Sequence, residues 1–235
     1  MLEQPQEKQY QSKDILDSST TTTKIAGEIS FLQHNVGKRQ EVQQTLLELA
    51  FAKRTDIVLV QEPSVWLDSR DGRWFSFPHP SYSLVLPRTD KRPRTAIYIR
   101  TEAAIKHKQR DDLSTDGDLL VLEISGPTER FLLLNIYNEK ELAEDSTSQQ
   151  QGVRTVERAL LPLQLTDMPF LIAGDFNSHH FMWNTAIQNP NQEARQLAGW
   201  LEAHHCGLLN AAQEQTFFRS NLRSTSIIDL SLIHI

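Results

Sequence analysis

In Phe170-Leu171-Ile172-Ala173-Gly174-Asp175-Phe176-Asn177-Ser178-His179-His180 an apolar run stops at a glycine, and a carboxylate, an amide and two imidazoles follow. A carboxylate can take a proton from water, an amide can donate to an anionic oxygen, and both carry oxygens that suit a hard cation. Such chemistry needs its groups held still. The end of a buried strand does this, because the scaffold fixes the backbone while the side chains reach past the sheet edge. Phe170–Ala173 reads as a strand buried on both faces. Gly, Asp, Asn and Ser also favour turns, so on this stretch alone a plain polar turn accounts for the residues equally well.

Other strands end the same way. The run from Glu28 closes on Asn35, Asp56-Ile57-Val58-Leu59-Val60-Gln61 leads into Glu62-Pro63, Arg130–Tyr137 leads into Asn138, and Ser226–Leu232 carries Asp229. Any one of these is weak, since polar residues at strand ends are common. If they meet, their carboxylates repel one another, by about 4 kcal/mol for a pair ~4 Å apart at an effective dielectric near 20. A divalent cation bound through oxygen offsets that, and Mg²⁺ suits one or two carboxylates plus a phosphate.

The elements that would position these residues follow from periodicity. Helices are predicted over Lys38–Lys53, with Val42, Leu46, Leu49 and Ala50 on one face, over Gly152–Leu163, with Val153, Val156 and Leu160 aligned, and over Gln192–His205. Further strands are predicted near Ser83–Leu86, Ala96–Arg100 and Leu119–Ile124, the last turning at Gly126-Pro127. Ser64–Ser81 reads as a long functional loop. Arg88–Arg110 is the basic part of the chain, although a solvated charged hairpin would look the same. Residues 1–27, rich in Gln, Ser, Thr and charge, read as a disordered polar leader. Residues 28–235 then form one domain of α+β class, because strands outnumber helices and some connections are hairpins.

Composition narrows the function classes. The 235 residues carry a formal net charge of −6 and one cysteine. An acidic chain argues against holding nucleic acid by bulk charge alone and turns attention to clustered cations and a bound metal. A lone cysteine excludes an internal disulfide and suits a reducing compartment. No apolar run approaches the ~20 residues that span a bilayer, and no signal-peptide core opens the chain, so an intracellular protein without a membrane anchor is expected. Cys206 beside His204 and His205 fits no zinc spacing.

The ordered set Leu32-Gln33-His34-Asn35, Val60-Gln61-Glu62-Pro63, Asn135-Ile136-Tyr137-Asn138, Gly174–His180 with Trp183, and Thr216 followed by Ser226-Ile227-Ile228-Asp229 resembles the endonuclease/exonuclease/phosphatase superfamily. Within it the spelling is most similar to the endonuclease domain of non-LTR retrotransposons. The resemblance implies a four-layer α/β/β/α sandwich and a Mg²⁺-dependent (or Mn²⁺-supported) phosphodiesterase that nicks DNA to prime reverse transcription. It further implies Glu62 and Asn35 as metal residues and Tyr137, Asp175, Asn177 and Asp229 as catalytic ones. Arg94, Thr95, Asn138, His180 and Ser226 would touch DNA, with Arg219 and Arg223 as further candidates. DNA is the implied partner, no membrane is involved, a reverse transcriptase segment is expected in a full-length element, and the nucleus is the implied place of action.

One departure stands out. The family pattern closes on Ser-Asp-His some tens of residues after the strand with the Asp229 position, whereas this chain ends at Ile235. Strand alternation sends His234 to the face opposite Asp229. The expectation is therefore a truncated domain missing its C-terminal strand, with an open apolar edge and low or absent activity. A non-catalytic DNA-binding remnant, or a phosphatase or RNA nuclease of the same superfamily, are the competing readings.

Overall fold

Runs of Val, Ile, Leu and Phe alternate with two amphipathic helices along the chain, and a computed structural model sets them in that order. It describes residues 21–25, 29–140, 153–165, 168–210, 215–219 and 224–234. The N-terminal half holds β1 (Thr21–Ile25), β2 (Ile29–Asn35), α1 (Gln40–Ala52), β3 (Ile57–Gln61), β4 (Val65–Asp68), β5 (Arg73–Ser76), β6 (Tyr82–Val85) and β7 (Thr95–Arg100). Then come β8 (Lys106–Gln109), β9 (Leu119–Ser125), β10 (Arg130–Tyr137) and, after a π-helical turn at Val156–Leu160, β11 (Phe170–Asp175). The chain continues through α2 (Gln192–Ala203), β12 (Gly207–Leu208), β13 (Phe217–Arg219), β14 (Ser224–Ser226) and β15 (Asp229–His234).

A five-stranded sheet has the order β1-β2-β3-β7-β6, and a six-stranded sheet the order β12-β15-β11-β10-β9-β8. The pairs β2/β3 and β10/β11 are parallel and the other pairs antiparallel. Parallel neighbours need a crossover; α1 makes the first, and the stretch with the π-helical turn makes the second. Because strand side chains alternate, each doubly buried run feeds two cores. Ile57, Leu59, Ile97 and Ile99 meet Leu120, Leu122, Leu133 and Leu171 between the sheets. Val58, Val60 and Tyr98 instead face Leu46, Leu47 and Ala50 of α1. Leu132, Leu134, Ile172 and Leu230 pack on Leu197 and Leu201 of α2 and on Val156 and Leu160. The architecture is the α+β, four-layer α/β/β/α sandwich. Burying each such side chain contributes roughly 1.5–3 kcal/mol, so the strands that lead to the candidate site are firmly held.

A polar clasp crosses the apolar interface between the sheets. Gln61 Nε2 donates to Asn135 Oδ1 at 2.7 Å, and Asn135 Nδ2 donates to the carbonyls of Val60 and Ala96 at 3.1 and 2.9 Å.

Several local expectations change. Thr21–Ile25, assigned to the leader, is an edge strand antiparallel to β2; the rest of that leader lies outside the described residues. The stretch read as a long loop, Ser64–Ser81, contains the β4–β5 hairpin. The α1 face is rotated, with Gln43 fully buried and bonded to Ser76 Oγ, the Tyr98 hydroxyl and Ser64 N at 2.7 to 2.8 Å. The predicted Gly152–Leu163 helix is reduced to the short π-helical segment, and Val153, expected on its apolar face, is 58% exposed. The open apolar edge expected beside the Asp229 strand is instead lined by residues 207–210. Here β12 pairs with Leu232 and Ile233, and the Asn210 amide takes a backbone's place, accepting from Ser231 N and donating to Asp229 O.

Candidate active site

Strands β2 and β3 run out side by side, with Asn35 the register partner of Gln61. In the second sheet Tyr137 pairs with Asp175 and Asp175 with Asp229, so three strand ends present one row. The two sheets then meet. Asn35 Nδ2 donates to Asp175 Oδ2 at 2.8 Å, and the Tyr137 hydroxyl is hydrogen-bonded to Glu62. Asn35, Glu62, Tyr137, Asp175, Asn177 and Asp229, scattered in sequence, therefore gather at one edge of the sandwich.

Local backbone features hold them there. Gly174 has φ +154, and a Cβ on it would stand 2.0 Å from the Ile136 carbonyl oxygen of β10. Only glycine lets the two strands stay paired one step before Asp175. Glu62 and Asn177 adopt left-handed φ values of 47 and 43. For residues with a side chain this conformation costs on the order of 1–3 kcal/mol and persists where surrounding bonds over-determine it. Those bonds are present: Glu62 N donates to Arg94 O at 2.8 Å and Glu62 O accepts from Lys38 N at 2.7 Å. Asn177 N donates to Asp175 Oδ1 at 3.1 Å, its side-chain amide donates to Asn138 O at 2.7 Å, and its carbonyl accepts from Arg154 at 2.8 Å.

The electrostatics follow from burial. Asp175 is 2% exposed. Burial pushes its carboxyl up to about 6, with the Glu62 charge acting the same way against the Asn35 and Asn177 hydrogen bonds and Lys140. Asp229 is raised well above the usual carboxylate range by burial and by the Asp175 charge, opposed by a hydrogen bond from Thr216. Burial, and the charges of Glu62 and Asp175, keep Tyr137 a phenol. Glu62 is paired with Lys38 at 3.2 Å. These donors are hard oxygens, and among the described residues no group of three or more His, Cys, Asp and Glu side chains forms a metal-ligand cluster. That donor set suits a cation that keeps waters and takes one or two carboxylates, as Mg²⁺ does, rather than a closed zinc cage.

The residues expected to touch DNA fare differently. The Arg94 guanidinium is shared by Asp118 and Glu139, and it stacks 4.9 Å above the Tyr137 ring. Thr95 is fully buried and donates to Gly117 O. Asn138 is fully buried too, with its amide spent on Phe176 O, Glu193 and Val156 N. Each of the three is held by partners within the chain and anchors the loops around the site. His180 is 4% exposed, accepts from Met182 N and packs against Trp183, itself a buried anchor. Ser226 ends β14, whose hairpin with β13 leads into the Asp229 strand; Arg223 lies outside the described residues. Much of the basic segment is neutralised, with Arg88 on Asp111, Arg100 on Glu102, and Arg110 on Asp112 and Glu123. His234 pairs with Phe170, at the far end of β11 from Asp175, and stacks on its ring at 4.7 Å.

Sequence reasoning missed Lys38 and Lys140, whose only signal was a cation close in sequence to Asn35 and Asn138. It also missed the network of Asp116, Asp118, Glu139 and Arg158, which lies around Arg94. Thr216, quoted for the resemblance but given no role, accepts hydrogen bonds from Ile228 N and Asp229 N at 3.1 Å each.

Residues 131–234, which carry the site from Tyr137 to Asp229, match the family model described as "Endonuclease-reverse transcriptase". No curated protein matches the chain. Among solved structures the fold is similar to the endonuclease domain of TRAS1, a telomere-specific non-LTR retrotransposon. The TM-score is 0.62 at 21% identity, over 87% of this chain and 84% of that one. AP endonuclease LMAP from Leishmania major gives 0.58 at 13% identity over 98% and 84%, and an AP endonuclease from Archaeoglobus fulgidus gives 0.53 at 13% over 87% and 86%. The chain thus has the fold of these endonucleases, and its residues 131–234 are similar to the endonuclease-reverse transcriptase family.

Proposed function

We propose that residues 28–235, together with β1, act as a Mg²⁺-dependent retrotransposon endonuclease that hydrolyses one phosphodiester of target DNA and leaves a 3′-hydroxyl to prime reverse transcription. One observation carries this reading. Asp175 and Asp229 face each other across β11 and β15, both pushed toward their neutral forms, with the Glu62 carboxylate and the Asn35 amide nitrogen beside them. Buried like charges arranged this way suit a cation and an anionic substrate together.

Glu62, with support from Asn35, would hold Mg²⁺ (or Mn²⁺), which when bound would supply charge to polarise the phosphate. The chain's own residues do the rest. Asp175, fixed through both oxygens by Asn35 and Asn177, accepts a proton from the attacking water. A value near 6 leaves it ionised at neutral pH and a better base than an ordinary aspartate. Asn177 spends one amide hydrogen on Asn138 O and offers the second to a non-bridging oxygen as charge builds there. Tyr137, kept neutral, donates its hydroxyl to the same phosphate. Asp229, steadied by Thr216 and pushed toward its neutral form, sits beside Asp175, and solvent water supplies the proton to the leaving oxygen.

In the family a reverse transcriptase segment accompanies such a domain, and the act takes place in the nucleus. Among the described residues no helix is long and apolar enough to cross a membrane. Supercoiled plasmid incubated with the chain and Mg²⁺ should convert to nicked circles, and EDTA or Asp175→Ala should abolish this. Nicking that survives Asp175→Ala would remove the assigned base. Salt-sensitive DNA binding without nicking would leave the remnant, and phosphate released from an inositol phosphate would leave the phosphatase.

A further inference from the structure

The β4–β5 hairpin begins three residues after Glu62 and exposes large apolar side chains. Trp66 and Phe75 are direct register partners on one face of it, 47% and 39% exposed, and Leu67 beside them is 49% exposed. Cross-strand partners share a face, so the two rings form a continuous aromatic surface in solvent. The hairpin is rigidly rooted: at its base Ser64 N donates to Gln43 Oε1, and Ser76 Oγ donates to Ser64 O and accepts from Gln43 Nε2. On the other face Trp74 Nε1 reaches Asp90 O, tying the hairpin to the loop that bears Lys91 and Arg92. Both of those cations are exposed, and so are Arg70 and Arg73, which pair with Asp68 and Asp71.

Exposed aromatic rings cost solvation unless something covers them, and their position says what that is. Trp66 stands four residues from Glu62, within ~14 Å of extended chain, roughly the axial rise of four nucleotides. Flat rings interleaved with cations, so near a phosphodiester site, match a nucleic-acid strand, whose bases stack on aromatics while its phosphates meet Lys and Arg. We infer that the Trp66–Phe75 face of the β4–β5 hairpin is a stacking platform for unpaired or splayed bases of the DNA strand beside the scissile phosphate, with Lys91 and Arg92 gripping its backbone. This rests on the endonuclease reading for the identity of the strand.

The test uses the full chain in EDTA and two fluorescein-labelled probes, a 20-mer of thymidylate and a 20-bp duplex, read by anisotropy across a salt series. Trp66→Ala with Phe75→Ala should weaken single-strand binding at least tenfold, leave the slope of log K against log salt unchanged, and keep the wild-type circular dichroism melt. Trp66→Phe should restore most of the affinity. Lys91→Ala with Arg92→Ala should instead flatten the salt slope. Unchanged single-strand affinity in the aromatic double variant would overturn the inference, as would a wild-type chain that binds neither probe at low salt. So would sedimentation showing a wild-type dimer that the double variant breaks, since the face would then belong to a second copy. Plasmid nicking separates the two readings. Wild-type nicking with an inert hairpin leaves the endonuclease standing, and platform-dependent binding without nicking leaves the hairpin standing.

Discussion

Two carboxylate clusters lie close together in this molecule and have different partners. Asp116, Asp118 and Glu139 are threaded with Arg94 and Arg158, Arg158 alone reaching all three. Burial works against ionisation at all three: a hydrogen bond from Arg158 still holds Asp116 below the ordinary value, those from Thr155 and Arg94 hold Glu139 near 2, and at Asp118 burial prevails. Asp175 and Asp229 have an amide, a hydroxyl and the more distant Lys140 instead of a guanidinium, and burial wins at both. Arg94 marks the boundary, since it pairs into the first cluster while its guanidinium lies over Tyr137 of the second. Among the described residues the first three carboxylates meet arginines, whereas Asp175 and Asp229 do not.

That contrast can be broken at either cluster. The largest expected effect is on turnover: Asp175→Asn should cut nicking by about 10²- to 10⁴-fold, the usual worth of a general base. The same variant should raise thermal stability in EDTA at pH 7, because the unfavourable buried charge is gone; a lower melting temperature would mean that Asp175 is structurally satisfied. Next comes Arg158→Met, which strands the first cluster and should cost roughly 3 kcal/mol in urea unfolding, with little loss of stability expected if the network were only decorative.

A smaller and more gradual effect is expected with pH. The folded value of Asp175 near 6 lies above its ordinary 3.8, so folding favours the protonated form. Stability in EDTA should be fullest below about pH 4 for this group and fall by up to ~3 kcal/mol as pH rises through 6, Asp229 acting in the same direction. Glu139 has the opposite sign, since its depressed value stabilises the fold above about 4.5 and that contribution is lost as pH falls toward 2. Denaturant titrations at several pH values resolve the two, and Mg²⁺ should flatten the upper limb. The smallest effect belongs to Glu62→Gln, expected to weaken Mg²⁺ activation about tenfold, measured as the metal concentration for half-maximal nicking.

The second cluster was legible in the sequence and the first was not. Asn35, Glu62, Tyr137, Asp175 and Asp229 each close or open a run of apolar residues, and a run that stops at a polar group shows both the strand and the edge at which it ends. The arginine network had no such signature, because Arg94, Asp118, Glu139 and Arg158 come from separate connections and meet only through tertiary packing. Thr95 and Asn138 looked available for the same reason: their burial depends on loops whose course no local pattern fixes. The hairpin at Val65–Ser76 was concealed by its two Trp, its charges and its short strands, and β1 by its uniform threonines. The layer order was implied by the family resemblance; which polar groups were already spoken for was not.

The amide pair Gln61–Asn135 has a further consequence. Greasy surfaces tolerate sliding past one another by an ångström or so at little cost, whereas a directional bond set between two rigid slabs acts as a dowel and resists shear. The residue after Gln61 is Glu62, and two after Asn135 is Tyr137, so the dowel sits directly beneath the working edge. Alignment of the two halves there is consequently set from inside the protein.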